Sequence, residues 1–222
     1  IDTSQFGEIG DGLGIFLSTH LKYASEHLRT IDDYFADAAA GTLPQFAFVD
    51  PNIGREGPLN DDEHPPAMAQ LGQELVARVV DGLHRSPNWS KSALFITYDE
   101  HGGLYDHVVP PKACPPDDLP IKLQPGDPEA AFDQLGIRVP MMVVSPYAKK
   151  HFVSHHVYDH TSIVRFVEAK FVMPALSNRD ANAEAPWEMF DFEGAPHAEA
   201  PEVPMPVVDA DRVEACKAIF LP

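Results

Sequence analysis

The stretch that decides the fold prediction is Ala93-Leu-Phe-Ile-Thr-Tyr98, followed directly by Asp99-Glu-His-Gly-Gly-Leu-Tyr-Asp-His107. Its first part is a continuous apolar run, which is typical of a strand covered on both faces. Similar runs over Gln45–Asp50 and Val139–Ser145 predict two further buried strands. Helical patterns alternate with these strands along the chain. The sequence therefore predicts an α/β layered fold with a mostly parallel sheet.

The helix predictions come from end signals and from apolar spacing. Thr30 as N-cap and Gly41 as C-terminal stop predict a helix over residues 31–40. An apolar face repeating about every 3.6 residues predicts an amphipathic helix from Ala67, ended by Ser86-Pro87. Further helices are predicted over residues 162–171 and 209–221, with an irregular tail from Pro174 between them.

Composition narrows the class of protein. The chain has 222 residues, of which 44% are hydrophobic, enough for a sizeable core. We found no internal repeat and no clear linker, so residues 1–222 are interpreted as one domain. The net charge of −18 disfavours nucleic acid and anionic membranes as partners, because it repels phosphate groups. No apolar run reaches the roughly 18 to 20 residues of a transmembrane helix.

Asp99 and Glu100 form the strongest chemical feature of the sequence. In parallel α/β sheets, ligands gather at the carboxyl ends of strands. Two adjacent carboxylates repel each other there unless a cation holds them. Gly102 and Gly103 permit unusual dihedral angles, so the backbone can turn and both carboxylates can face one ion. The alternative interpretation is an acidic turn in which the glycines serve geometry alone.

His64 lies in Asn60-Asp-Asp-Glu-His-Pro-Pro66, at the entry to the amphipathic helix. A histidine at this place could protonate a leaving group or bind a phosphate oxygen. The segment is also typical of a solvated acidic loop at a helix start, and local pattern alone favours that second interpretation. Both interpretations remain open at this point.

The region 151–162 is the third candidate. Thr161 and Ser162 have the residue types of helix caps, and as nucleophiles they would need an activating base or metal. Imidazoles at His151, His155 and His156 indicate metal binding only weakly, because their spacing matches no metal rule. The two cysteines, Cys114 and Cys216, allow one disulfide or two free thiols and do not fix a compartment.

Taken together, the motifs resemble a known family. The segments NDDEHPP, LFITYDEHGGLYDHVVPP, VPMMVVSPYAKKHFVSHHVYDHTSIVRFVE and FDF are similar to the bacterial phosphoesterases that include phosphatidylcholine-type phospholipase C and acid phosphatases. DYFADAAAGTLPQFAFVDP resembles the segment ahead of them, so the resemblance covers roughly residues 30 to 192. The resemblance implies an alkaline-phosphatase-like α/β fold and hydrolysis of phosphate esters at a metal site by a Ser or Thr nucleophile.

The resemblance also implies roles for single residues. Asp99 and Glu100 match the acidic metal ligands of the family, and His64 matches a histidine that faces the phosphate. His101, Asp106, His107 and His160 fall in family motifs, as groups that support those residues. The cofactor is then a divalent metal ion; carboxylates favour hard cations, while nearby imidazoles keep zinc and iron open.

One departure from the family pattern limits the comparison. The family carries a Glu-Asn pair of metal ligands, and its nucleophile, in an N-terminal half that is not found here. The chain is therefore expected to be the C-terminal half of a larger phosphoesterase, inactive alone, whose partners are the N-terminal half and a phosphate ester or phospholipid. Many family members are secreted, which implies a periplasmic or extracellular location. The alternative hypothesis is a non-catalytic binding module that kept the fold without the nucleophile.

Overall fold

The computed structural model describes residues 27–52, 60–127, 131–197, 199 and 202–220. These residues contain both helices and strands, which confirms the mixed α/β content that the sequence predicted. They group into two compact units: one contains the described residues up to Ser92 and those from His197 onward, and the other is Ala93–Pro196. The interpretation of the chain as one domain stays a prediction.

The first unit is built on α1 (Ile31–Ala40) and α2 (Ala69–Arg85), followed by a 3-10 turn over Trp89–Lys91. Thr30 caps α1 in a reciprocal capping box with Asp33, and Gly41 ends it at φ 71°. Both bounds of α1 agree with the sequence prediction. The unit also contains the C-terminal helix α5 (Ala210–Phe220), which begins one residue later than predicted; the predicted last residue, Leu221, lies outside the described residues.

The helices α1 and α2 pack against each other through aromatic side chains of α1. The hydroxyl of Tyr34 donates to the carbonyl of Val79 at 3.0 Å, and burial raises the pKa of Tyr34 to about 12. The guanidinium of Arg78 lies 4.7 Å from the centre of the Phe35 ring, a cation–π contact. This packing fixes α2, and α2 in turn supports the loop that carries His64.

The second unit contains β1 (Leu94–Thr97) and β2 (Met141–Val144), which pair antiparallel with Leu94 opposite Val144. Its helices are α3 (His160–Phe171) and α4 (Asn178–Asn182), followed by a 3-10 turn over Trp187–Met189. The core is an aromatic cluster in which the Phe166 ring lies 4.9 Å from Phe95 and 5.4 Å from Phe190. This cluster packs on one face of the strand pair through Phe95 and Val143.

Several sequence predictions differ from the structure of the described residues: α3 begins at His160 rather than at Ser162, and α4 lies in the tail that was predicted to be irregular. The one sheet described is an antiparallel pair, so a wider, mostly parallel sheet stays a prediction. Its strands are half-buried rather than covered on both faces, and Met142 is 50% exposed. Gln45–Asp50 is not a strand: no described segment pairs with it, and the Phe46 and Phe48 side chains are exposed.

Two further observations concern the whole described chain. No helix within its described ranges combines the length and the apolarity that crossing a membrane requires. Both cysteines are free thiols, with Cys114 exposed and Cys216 half-buried, so no disulfide links them.

Candidate active site

The loop that carries Asp99 and Glu100 starts directly after β1 and is ordered by its own short-range hydrogen bonds. The Asp99 Oδ1 atom accepts from the Glu100 amide at 2.9 Å, and the Glu100 Oε2 atom accepts from the Gly102 amide at 2.8 Å. Gly102 and Gly103 both have positive φ angles, of 63° and 73°, which side-chain-bearing residues rarely adopt. The predicted turn after the strand is therefore present, and both carboxylates lie at its exposed start.

His101 and His160 hold the two ends of this turn. The His101 Nδ1 atom lies 2.8 Å from the carbonyl oxygen of Leu104, which closes the loop from inside. The His160 Nε2 atom lies 2.7 Å from the carbonyl oxygen of Tyr98, the residue before Asp99. Since His160 is the first residue of α3, this contact ties the end of β1 to the start of that helix.

Asp106 is the most strongly held acidic group of the loop. It accepts two hydrogen bonds from the guanidinium of Arg138, at 2.6 and 2.8 Å, and one from the amide of Val108. The hydrogen bonds from Arg138 hold the pKa of Asp106 well below its usual range. His107 lies beside it, with Nδ1 3.5 Å from a carboxylate oxygen of Asp106. Arg138 itself was not a candidate in the sequence, because it is 32 residues away from Asp106.

His64 belongs to the first unit, in an acidic loop ahead of α2. Its amide donates to the Asp62 Oδ1 atom at 3.1 Å, and its Nδ1 atom lies 2.8 Å from the carbonyl oxygen of Pro65. Burial raises the pKa of the nearby Asp61, whose carboxylate accepts from the Asn52 amide. His64 is exposed. The expectation that His64 faces Asp99 and Glu100 stays a prediction.

Thr161 and Ser162 serve the helix end. The N-cap of α3 is Asp159, whose side chain accepts from the amide of Thr161 at 2.7 Å and also from its hydroxyl. The Ser162 hydroxyl accepts from the Asp159 amide, and Ser162 is only 2% exposed. The sequence favoured Thr161 or Ser162 as the cap, and this was wrong by two to three residues: the N-cap is Asp159, and Ser162 completes the capping box from within the helix. Both hydroxyls are engaged in the cap, which does not suit a nucleophile.

The histidine-rich loop makes a polar cluster that the sequence did not indicate. The His156 ring nitrogens lie 3.4 Å from Glu184 and 3.5 Å from Glu188. Glu188 also accepts from the hydroxyls of Ser154 and Tyr158, and the bond from Ser154 is the main reason why its pKa is lowered. The partners lie about thirty residues apart in sequence, so local pattern contained no signal for them.

The donor chemistry of the Asp99–Glu100 turn fits a metal ion in part. Carboxylate oxygens suit hard cations such as Mg²⁺ or Ca²⁺. Within the described part of the chain, however, no group of three or more His, Cys, Asp or Glu side chains is arranged to hold a metal ion. The role of Asp99 and Glu100 as metal ligands stays a prediction.

Comparison with known proteins places this loop inside a family. The model of the Phosphoesterase family matches residues 16–174, which include the Asp99–His107 loop and the His64 segment. The chain belongs to the phosphoesterase family. The resemblance noted from the sequence motifs is thereby confirmed.

The phosphoesterases most similar in sequence include plant and bacterial proteins. Non-specific phospholipase C1 of Arabidopsis thaliana is 37% identical over 180 residues, which cover 75% of this chain and 33% of that protein. Phospholipase C B of Mycobacterium tuberculosis is 31% identical over 191 residues, covering 80% of this chain and 35% of the relative. Non-hemolytic phospholipase C of Burkholderia pseudomallei is 39% identical over 145 residues, covering 61% and 20%. The chain thus spans about a third or less of the length of these relatives.

Proposed function

We propose that the complete protein hydrolyses phosphate esters of the phospholipase C type and that this chain supplies part of its active site. The observation that carries the proposal is the ordered turn after β1, where Asp99 and Glu100 lie exposed within the region matched by the family model. The relatives are named phospholipase C, so a phospholipid or a related phosphodiester is the substrate that we favour. A soluble phosphomonoester is the second substrate class.

We assign Asp99 and Glu100 as oxygen ligands of a divalent metal ion. When bound, such an ion supplies a Lewis acid that withdraws charge from a phosphoryl oxygen. The two carboxylates fix its position, and the hydrogen bonds from the Glu100 and Gly102 amides hold each carboxylate in place for this task. The remaining ligands and the nucleophile are assigned to protein outside this chain, which accords with the capping roles of Thr161 and Ser162.

His64 receives the second role in the proposal. Its exposed imidazole would bind a phosphate oxygen or donate a proton to the leaving alkoxide. The contact between its Nδ1 atom and the carbonyl oxygen of Pro65, at 2.8 Å, orients the ring. We place His101, Asp106, His107 and His160 outside direct contact with substrate, as groups that order the loop around Asp99.

The wider architecture and the cellular location are part of the same proposal. The strand pair β1–β2 would extend, in the complete protein, into the mostly parallel layered sheet of the alkaline-phosphatase type. The protein would act in the periplasm or outside the cell, as many family members do. The carboxylates of Asp99 and Glu100 do not by themselves select one metal, so the test includes magnesium, calcium, zinc and iron.

The test is a hydrolysis assay on the complete protein with a phosphatidylcholine vesicle and with p-nitrophenyl phosphate. We expect a chelator to abolish turnover, and Asp99→Asn to lower kcat by about 100-fold or more, since it removes a ligand that fixes the reacting centre. Asp117→Asn is the matched control, because Asp117 is also exposed and accepts from a nearby backbone amide at 2.9 Å.

Three results would decide against the proposal or one of its parts. Turnover of neither substrate by the complete protein, with each metal added in turn, would favour a non-catalytic binding module. Full activity of Asp99→Asn would remove this carboxylate from the site. Activity of residues 1–222 alone that is lost with Ser162→Ala would show that the nucleophile lies in this chain.

A further inference from the structure

Arg138 lies three residues ahead of β2 and reaches across to the loop that follows β1. Its Nε atom donates to Asp106 Oδ2 at 2.6 Å, and its Nη2 atom donates to Asp106 Oδ1 at 2.8 Å. This is the two-pronged geometry in which a guanidinium matches a carboxylate best. The Asp106 side chain is only 14% exposed, so most of this carboxylate is shielded from water.

The Asp106 carboxylate in turn organises the end of the loop. Its Oδ1 atom also accepts from the amide of Val108 at 3.2 Å, and His107 lies beside it. The hydrogen bonds from Arg138 lower the pKa of Asp106, which favours the ionised carboxylate that pairs with the guanidinium.

The two ends of the loop are held by β1 and by the segment that leads into β2. At the start, Thr97 of β1 pairs with Met141 of β2, two residues before Asp99. At the end, Asp106 is held by Arg138, three residues before Met141. Between these points, the short-range bonds of Glu100 and His101 shape a turn that contains two glycines, and His160 contacts the carbonyl oxygen of Tyr98 at its start. At the far end of the loop, Arg138 reaches Asp106 from 32 residues away in sequence and holds it with two hydrogen bonds.

We propose that Arg138 is a positioning residue: through its fork on Asp106 it holds the loop 99–109, and with it Asp99 and Glu100, in the conformation that presents their carboxylates. The part of this inference that concerns the task of the two carboxylates rests on the proposed function, whereas the part that concerns the ordering of the loop does not. Arg138 acts through Asp106, to which it donates two hydrogen bonds.

The experiment compares Arg138→Ala, Arg138→Lys and a control in the complete protein. The control is Lys112→Ala, which breaks another exposed ion pair of the same unit, from Lys112 to Asp133 at 2.8 Å. Hydrogen exchange of the backbone amides 100–108 is measured without metal, and the affinity for Mn²⁺ is measured by titration. Arg138→Lys keeps the positive charge but cannot make the bidentate hydrogen bonds of the guanidinium.

We expect Arg138→Ala to speed exchange of these amides about tenfold or more, because a charge-assisted hydrogen bond pair is lost. We expect the Kd for Mn²⁺ to rise about 10- to 100-fold, as is typical when a group behind a metal ligand is removed. The kcat should fall with little change in KM. Arg138→Lys should lie between Arg138→Ala and the parent, and Lys112→Ala should match the parent.

The outcomes separate this inference from the proposed function. Unchanged exchange in Arg138→Ala overturns the inference whatever the protein does with metal. Faster exchange with an unchanged Kd for Mn²⁺ also overturns it, since the loop would then not position ligands. If the parent binds no Mn²⁺, or if Asp99→Asn binds it as the parent does, the proposed function fails and the ligand-positioning role fails with it, whereas the exchange result still shows whether Arg138 orders the loop.

Discussion

Gly72, a residue in the first turn of α2, lies against the loop that carries His64. It is buried, and a Cβ atom added to it would lie 2.3 Å from Cγ of Glu63 and 2.8 Å from the backbone oxygen of Asp61. Neither distance is possible for a real Cβ atom, and the second involves backbone. Gly72→Ala must therefore displace the loop that carries His64.

The change in the free energy of unfolding caused by Gly72→Ala is a balance between two opposing effects. Alanine is favoured over glycine in a helix interior by about 1 kcal/mol. Overpacking of a well-filled site costs about 1–3 kcal/mol. The free energy of unfolding should therefore fall by up to about 2 kcal/mol. Catalysis is the more sensitive quantity, because a misplacement of about 1 Å in a catalytic group can cost about 100-fold in rate.

The assay measures thermal unfolding and kcat of Gly72→Ala in the complete protein beside Gly82→Ala as the matched control. Gly82 lies in the same helix, but its added Cβ would be 3.3 Å from Cδ1 of Phe35, a side chain that can give way. We expect Gly82→Ala to keep kcat and to be unchanged or up to about 1 kcal/mol more stable. A Gly72→Ala protein with full kcat and the stability of Gly82→Ala would refute the reasoning.

Two further predictions concern a single imidazole and a buried carboxylate. His64→Ala should lower kcat and leave the metal content nearly unchanged; loss of the metal instead would make His64 a ligand. Asp180 is 2% exposed, and although burial is the largest influence and raises its pKa, hydrogen bonds from Ser177 and the Leu176 amide lower it to about 2. Because this folded-state pKa lies below the unfolded value of 3.8, Asp180 contributes stability that is present above about pH 4 and is lost as the pH falls toward 2. The difference in Tm between the parent and Asp180→Asn should shrink over that range, and a constant difference would contradict this assignment.

The parts of the fold that local chemistry determines were predicted well. The helix α1 has the predicted bounds because its cap, its acidic first turn and its terminal glycine all lie within it or next to it. The start of α2 was predicted two residues early, at Ala67 instead of Ala69, since Met68 at its N-cap makes no side-chain hydrogen bond. Without a capping side chain, the sequence marks a helix start only loosely.

Features that depend on distant partners could not be predicted. The apolar run within Gln45–Asp50 indicates a strand, but a strand also needs a neighbour to pair with its backbone, and no described segment provides one. The sequence also could not predict that β2 runs antiparallel to β1, because parallel and antiparallel strands can both be apolar.

The candidate site follows the same division. Asp99 and Glu100 stood out because a strand, two acids and two glycines follow one another in sequence. Arg138 did not, because nothing near position 138 marks it as the partner of an acid 32 residues earlier. The polar cluster around Glu188 was missed for the same reason.

The measurement that tests the central claim most directly is the metal content of the purified complete protein by elemental analysis. It compares the parent, Asp99→Asn and Asp117→Asn after removal and restoration of divalent metals. We predict that the parent and Asp117→Asn take up the metal stoichiometrically, and that Asp99→Asn takes up far less while keeping its fold. Equal metal content in Asp99→Asn and the parent would contradict the assignment of the turn after β1 as the metal centre.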